Sequence, residues 1–195
     1  MTSTLIYAIH RTHHWWRHVG LNLGFDHVTV LTDRRGEGDR WITDDFYRAA
    51  RNCASDRLSE AEVDDTIARC RVLRWRPRRK AAAQVLAMAD AMHAQLETLQ
   101  PDYVISFPID NYNQDILARL ARKRGLPYFE VTASALPDMC MLMHRGRLIT
   151  AKASAAPDQV EDKIREIADP LFTPAYVQGQ AAYSPARFLK TLAYF

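Results

Sequence analysis

The 195-residue chain is poor in the residues that staple, cradle or embed a protein. Its three cysteines, Cys53, Cys70 and Cys140, are scattered, odd in number and in no CxxC pair. That excludes a disulfide framework and points to a reducing, cytoplasmic compartment. Only seven glycines occur, and none falls in a GxGxxG or GxxxxGKS/T pattern. Neither the dinucleotide fingerprint nor the phosphate-binding loop of nucleoside triphosphatases is therefore present. No GxSxG serine elbow occurs either. No apolar run approaches the ~18 residues of a membrane span, and the first residues lack a secretory-leader pattern. Lysine is scarce: Lys80, Lys123, Lys152, Lys163 and Lys190 are the only five among 26 basic residues. Internal repeats and low-complexity segments are absent.

What remains is an ordinary globular composition, 48% hydrophobic and 25% charged, with a net charge of +3. At roughly 100–200 residues per domain, this length predicts one domain, or at most a large domain with an appendage. Such a chain can bury a substantial core unaided. The arginine excess has two readings: a plain compositional bias, or planar forks for phosphate and carboxylate groups.

Hydrophobic periodicity organises the chain. Residues 5–9 (LIYAI) and 28–31 (VTVL) read as strands flanking a helix over 13–23, which makes one βαβ unit. A charged loop follows at 33–39, then a helix starting at Thr43 or Asp44 and running to about 54. Ser59 and Glu62 match a capping box that opens a helix to about 68. Residues 69–74 (RCRVLR) read as a short strand or an exposed basic turn. Pro77 introduces a long helix over 78–99, with Val85, Ala89, Met92, Leu96 and Leu99 on one face. Residues 103–107 (YVISF) form the clearest strand, followed by a helix over 112–124 that Gly125 terminates. A strand at 128–131 and a hairpin over 141–150 around Arg145-Gly146 come next. After a small-residue linker at 151–157, a short helix runs over 158–168 and an irregular tail ends in RFLKTLAYF. The predicted fold is α/β and Rossmann-like, a mostly parallel sheet flanked by helices with a β-hairpin near 140–150. Residues 1–156 would form that domain, and 157–195 a helix and tail.

In an open parallel sheet, ligands bind beyond the carboxyl ends of the strands. After the first strand, four histidines crowd nine positions: His10, His13, His14 and His18. His10, His14 and His18 have helical spacing, but no carboxylate or cysteine stands nearby to complete a metal site. A general base, a phosphate contact, or a merely packed or solvated cluster fits them better. After the strand at 103–107 come Asp110, Asn111, Tyr112, Asn113 and Gln114, dense enough in donors and acceptors to bind a sugar. Asp110 or Asn111 can equally serve as a helix cap. The basic run Arg69, Arg71, Arg74, Arg76, Arg78 and Arg79 surrounds Trp75. Without an accompanying nucleic-acid motif it predicts a phosphate pocket, an anionic membrane contact or a solvated helix start, and not a nucleic-acid partner. Ser134, beyond the next strand, reads as a binding or turn residue.

The stretch from Arg69 to Leu148 resembles bacterial capsular and surface-polysaccharide biosynthesis proteins, which look like glycosyltransferases of the two-Rossmann (GT-B) type. The matching residues are the arginines of RCRVLR (Arg69, Arg71, Arg74), then Asp110, Tyr112 and Asp115 around a helix start, then Gly125, Pro127 and Tyr128 in the turn to the next strand. The resemblance implies an acceptor-side domain facing a second Rossmann domain that holds a nucleotide-sugar donor. Such enzymes need roughly twice this length, so residues 183–195 would begin the connection and this chain alone would be incomplete as a catalyst. The implied class requires no cofactor and no metal.

On that resemblance, Asp110 or His13 is the expected base for an acceptor hydroxyl. Arg11, Arg71 and Arg74 would hold phosphate or acidic sugar groups, and Asn111, Tyr112 and Ser134 would orient the sugar. The expected place is the cytoplasm, with peripheral contact at the inner membrane as an option. Two rivals stand: a non-catalytic module binding an anionic saccharide or a partner, and a small metal-dependent hydrolase built on the histidine cluster.

Overall fold

The first strand, β1 (Ser3–Ala8), forms where the apolar run lies, and its last five residues are all buried. Alternation sorts them: Leu5 and Tyr7 enter one apolar cluster, Ile6 and Ala8 the other. Burial on both faces marks a central strand of a parallel sheet. The computed structural model of the protein describes residues 1–9, 12–52, 55–133, 140–149 and 156–170.

After β1 come α1 (His13–Asn22), β2 (His27–Thr32), a two-residue β3 (Arg40–Trp41), α2 (Thr43–Asn52), α3 (Glu60–Arg69), α4 (Arg78–Leu99), β4 (Tyr103–Ser106), α5 (Tyr112–Lys123), β5 (Tyr128–Ala133), β6 (Cys140–His144), β7 (Arg147–Ile149) and α6 (Pro157–Ala168). The sheet order is β3-β2-β1-β4-β5-β6-β7. Pairings from β3 to β5 are parallel, and β6–β7 is an antiparallel hairpin. The chain is thus α/β and Rossmann-like, as the alternation of strands and helices predicts. The basic stretch at 69–74 is not a strand. It passes instead into a 3-10 turn over Leu73–Trp75, with only Leu73 buried.

Local chemistry explains the boundaries. Ser59 Oγ accepts from the Glu62 amide and Glu62 Oε2 accepts from the Ser59 amide, which closes the predicted capping box at the start of α3. The stripe on α4 is buried at Val85, Ala89, Met92 and Leu96. Val85, Met92 and Leu96 each contribute about 1.5–3 kcal/mol by leaving water. Gly125, with φ +70°, ends α5, and the Leu126 amide reaches back to the Ala121 carbonyl. That is the left-handed stop predicted from Gly-Leu-Pro. Gly20 inside α1 has a packing reason: a Cβ there would lie 2.7–2.9 Å from Val28 and Ile6 side-chain atoms.

Two compact units are distinguished, and the first comprises Met1–Thr132 and Leu142–Ile149. Helix α6 belongs to the second and buries none of its residues. Within the first unit α1 packs on one face of the sheet, through Trp16. Helices α3, α4 and α5 cover the other, through residues such as Val63, Met92 and Leu117. The chain therefore leaves β1 toward one face and leaves the adjacent β4 toward the opposite face. Their carboxyl ends mark the topological switch point of the sheet, the place where ligands of open parallel sheets bind. Among the described residues, no helix is long and apolar enough to cross a membrane.

The other end of the sheet is held by carboxylates. Asp102 Oδ2 accepts from the Ser3 amide at 2.7 Å and from Ser3 Oγ at 2.9 Å, and Asp26 Oδ2 accepts from the Thr2 amide at 2.6 Å. The backbone amides, first of all, hold both carboxyls below the usual aspartate range. A carboxyl with a lowered folded pKa stabilises the fold above its unfolded value and loses that contribution as pH falls through the lowered one. Stability should thus decline below about pH 4. Urea midpoints measured from about pH 6 to pH 3 should fall less steeply for Asp102→Asn than for the parent chain. Identical slopes would show that this bond does not contribute.

Candidate functional site

The loop leaving β4 is organised by a buried amide. Asn111 caps α5, its Oδ1 accepting from the Asn113 and Gln114 amides at 3.0 and 3.3 Å. Gln114, fully buried, returns the bond: its Oε1 accepts from the Asp110 and Asn111 amides at 2.8 and 3.2 Å. Its Nε2 donates to the Phe107 carbonyl at 3.3 Å. These bonds close the turn over residues 107–111 around Gln114, and Asp110 stands on it. Asn113 Nδ2 donates to the Tyr7 hydroxyl at 2.9 Å, which ties the end of β1 to the start of α5 across the switch point. Burial, first of all, and the Asp33 charge push the Tyr7 hydroxyl pKa far up, so it stays neutral.

Two residues expected at the site meet directly. Arg71 Nη2 donates to Asp110 Oδ1 at 2.6 Å, with side chains 71% and 58% exposed. The pair spans 39 positions of sequence, so spacing could not show it. Beneath it lies a hollow of about 70 Å³ lined by Thr66, Arg69, Cys70, Ile109, Asp110, Asn111, Tyr112 and Asp115. A water molecule occupies about 30 Å³ in the liquid. The hollow has room for ordered water or a small polar group of a ligand.

Its floor is a charge network. Asp115 accepts from Thr66 Oγ1 at 2.7 Å, from Arg69 Nη2 at 2.9 Å and from Arg119 Nε at 3.0 Å. Arg119 also pairs with Asp65. Burial works against the Arg119 charge, but the bonds to Asp115 and Asp65 outweigh it and hold its pKa above the usual arginine value. Asp115 thus serves as a strut between α3 and α5.

The remaining expected residues are dispersed. Tyr112 lines the hollow with its ring but turns its hydroxyl to α4, accepting from Gln84 Nε2 at 2.9 Å. Burial raises its pKa. Arg74 does not line the hollow; its guanidinium lies 5.2 Å from the ring centroid of Trp75, which is 79% exposed. Asn111 spends its side-chain oxygen on the helix cap. His13, at the start of α1, has its Nδ1 4.0 Å from Glu37 Oε2 in the β2–β3 loop, and neither atom has a hydrogen bond among the described residues. His14 and His18 are exposed, and no three His, Cys, Asp or Glu side chains converge to hold a metal among the described residues. His10, Arg11 and Ser134 lie outside the described residues. The polar density after β4 hinted at Asn113 and Gln114, but nothing in their spacing foretold their buried bonds.

Compared with protein-family models, with curated proteins and with solved structures, the chain matches none.

Proposed function

We propose that this chain is the acceptor-side domain of a glycosyltransferase-like protein that assembles bacterial surface polysaccharide, with an anionic saccharide as acceptor. The observation that carries this reading is the exposed Asp110–Arg71 pair in the loop that leaves β4, beside the hollow between α3 and α5. An acidic group of the acceptor competes for Arg71 and so frees the Asp110 carboxylate. That carboxylate takes the proton of an acceptor hydroxyl while the hydroxyl oxygen bonds to the anomeric carbon of a nucleotide sugar held by a second Rossmann domain. The bond from that carbon to the diphosphate breaks, and the diphosphate leaves with the electron pair. Exposed Trp75 and Val72 among Arg74, Arg76, Arg79 and Lys80 support the accompanying expectation of peripheral contact with an anionic membrane surface.

Isothermal titration with an oligogalacturonate as acceptor probe and UDP-glucose as donor probe tests the reading. The oligogalacturonate should bind, and Arg71→Ala should weaken it roughly tenfold, as expected for one charge-assisted bond. UDP-glucose binding to this chain would overturn the acceptor-side assignment. Equal acceptor affinity of parent and Arg71→Ala would remove the pair from the reading.

A further inference from the structure

A second concave region lies beside the one already described. Between α5, β5 and the β6–β7 turn runs a groove of about 910 Å³. That is within the range of small-molecule sites, whereas the hollow beneath Asp110 offers about 70 Å³. Its polar lining includes Arg119, Arg122, Glu130, His144 and Arg145.

Each of the last four is poised for a ligand. His144 Nδ1 stands 2.8 Å from the Tyr128 carbonyl, which can only accept, so the proton sits on Nδ1. In the neutral ring Nε2 then remains an acceptor. The Glu130 side chain makes no hydrogen bond among the described residues. Desolvation, countered by the nearby His144, raises its pKa. Arg122 and Arg145 likewise meet no partner among the described residues, while Arg69, Arg78, Arg119 and Arg124 are all ion-paired.

The turn itself adds an independent observation. Arg145 and Gly146 have φ of +52° and +72° and join β6 to β7 as a two-residue loop. Such a loop favours Asn-Gly, because asparagine tolerates the left-handed region better than a long side chain does. An arginine there is strained, and strain in a loop beside a groove is a pointer to function.

We infer that this groove is a second ligand site, for an anionic monosaccharide whose acidic group is held by Arg122 and Arg145 and whose hydroxyls bond Glu130 and His144. The acidic group is a phosphate or a carboxylate. The groove shares Arg69, Ile109 and Asp115 with the hollow at Asp110, but Arg122, Glu130, His144 and Arg145 line the groove alone.

Titration calorimetry on the full chain uses glucose 1-phosphate and glucuronic acid as probes, with glucose and inorganic phosphate as comparisons. Saturable binding of either acidic sugar is expected, and which one binds identifies the acidic group. Arg145→Asn should weaken binding at least tenfold while leaving the melting temperature equal or higher, since asparagine relieves the turn. Arg122→Ala should weaken it similarly. The inference is overturned if neither acidic sugar binds, or if glucose or phosphate binds as tightly. Affinity unaltered in both arginine variants overturns it too. Failure of the transfer reading shows separately, as UDP-glucose binding or indifference to Arg71→Ala.

Discussion

Replacing Asp115 by alanine should lower stability by about 3 kcal/mol and the melting temperature by roughly 10 °C, the shift expected for a chain of this length. The Asp115 and Arg119 side chains are only 8% and 14% exposed. Removing the carboxylate strands the Thr66 hydroxyl and takes the Nε partner from Arg119. Breaking a buried pair by deleting one member costs more than the pair itself contributes, because the other charge stays desolvated. Arg119 keeps Asp65, a half-exposed partner, which places the loss at the lower end of the usual range. Asp65→Ala removes only the outer contact and should cost under about 1 kcal/mol. Thermal melts followed by circular dichroism compare the two. An Asp115→Ala melt within a degree or two of the parent's would mean that the network does not brace α3 against α5. The same variant should loosen the floor of the candidate site, since Thr66 and Arg69 line the hollow along with Asp115.

The contrast between Asp115 and Asp110 shows what sequence can convey about such a site. Both acidic residues of the helix-start motif were visible, and so was the strand end that presents them. Their division of labour was not, because burial decides it, and burial depends on α3 arriving from about fifty residues upstream. Local chemistry was legible wherever the partners lie close in sequence: the Ser59–Glu62 box, the Gly125 stop, and the turn at Arg145-Gly146. The central strand was legible because an all-apolar run needs cover on both faces. Strand β3 was not, since two residues carry no periodicity. It exists because Asp39 Oδ2 accepts from the Val30 amide at 2.8 Å and Thr32 Oγ1 donates to the Glu37 carbonyl at 2.8 Å. Gly38 permits that closeness, as a Cβ there would sit 2.6 Å from the Val30 carbonyl oxygen. The groove under the hairpin was hidden for the same reason as the Asp110–Arg71 pair. Glu130 and His144 become neighbours only through the order of strands β5 and β6.

Asp110→Asn should leave the fold intact and abolish most of the proposed transfer. The side chain is exposed and its partner Arg71 more so, and substitutions at such places usually change stability by less than about 0.5 kcal/mol. Asparagine preserves size and can still accept a bond from Arg71, but it cannot take a proton. A positioned general base contributes a factor of about 10²–10⁴. Sugar transfer, assayed with the donor-binding domain present, should fall by that factor in kcat. KM for the acceptor should change little, because proton transfer belongs to the transition state. Arg71→Ala should show the opposite pattern, a raised acceptor KM with a smaller change in kcat, since on the proposed reading Arg71 would hold the acceptor in ground and transition states alike. His13→Asn separates the two expected bases. His13 stands 4.0 Å from Glu37 in the β2–β3 loop, so its replacement should leave the transfer rate within a few-fold of the parent's. A rate unchanged in Asp110→Asn but lost in His13→Asn would move the base, and the acceptor with it, to α1.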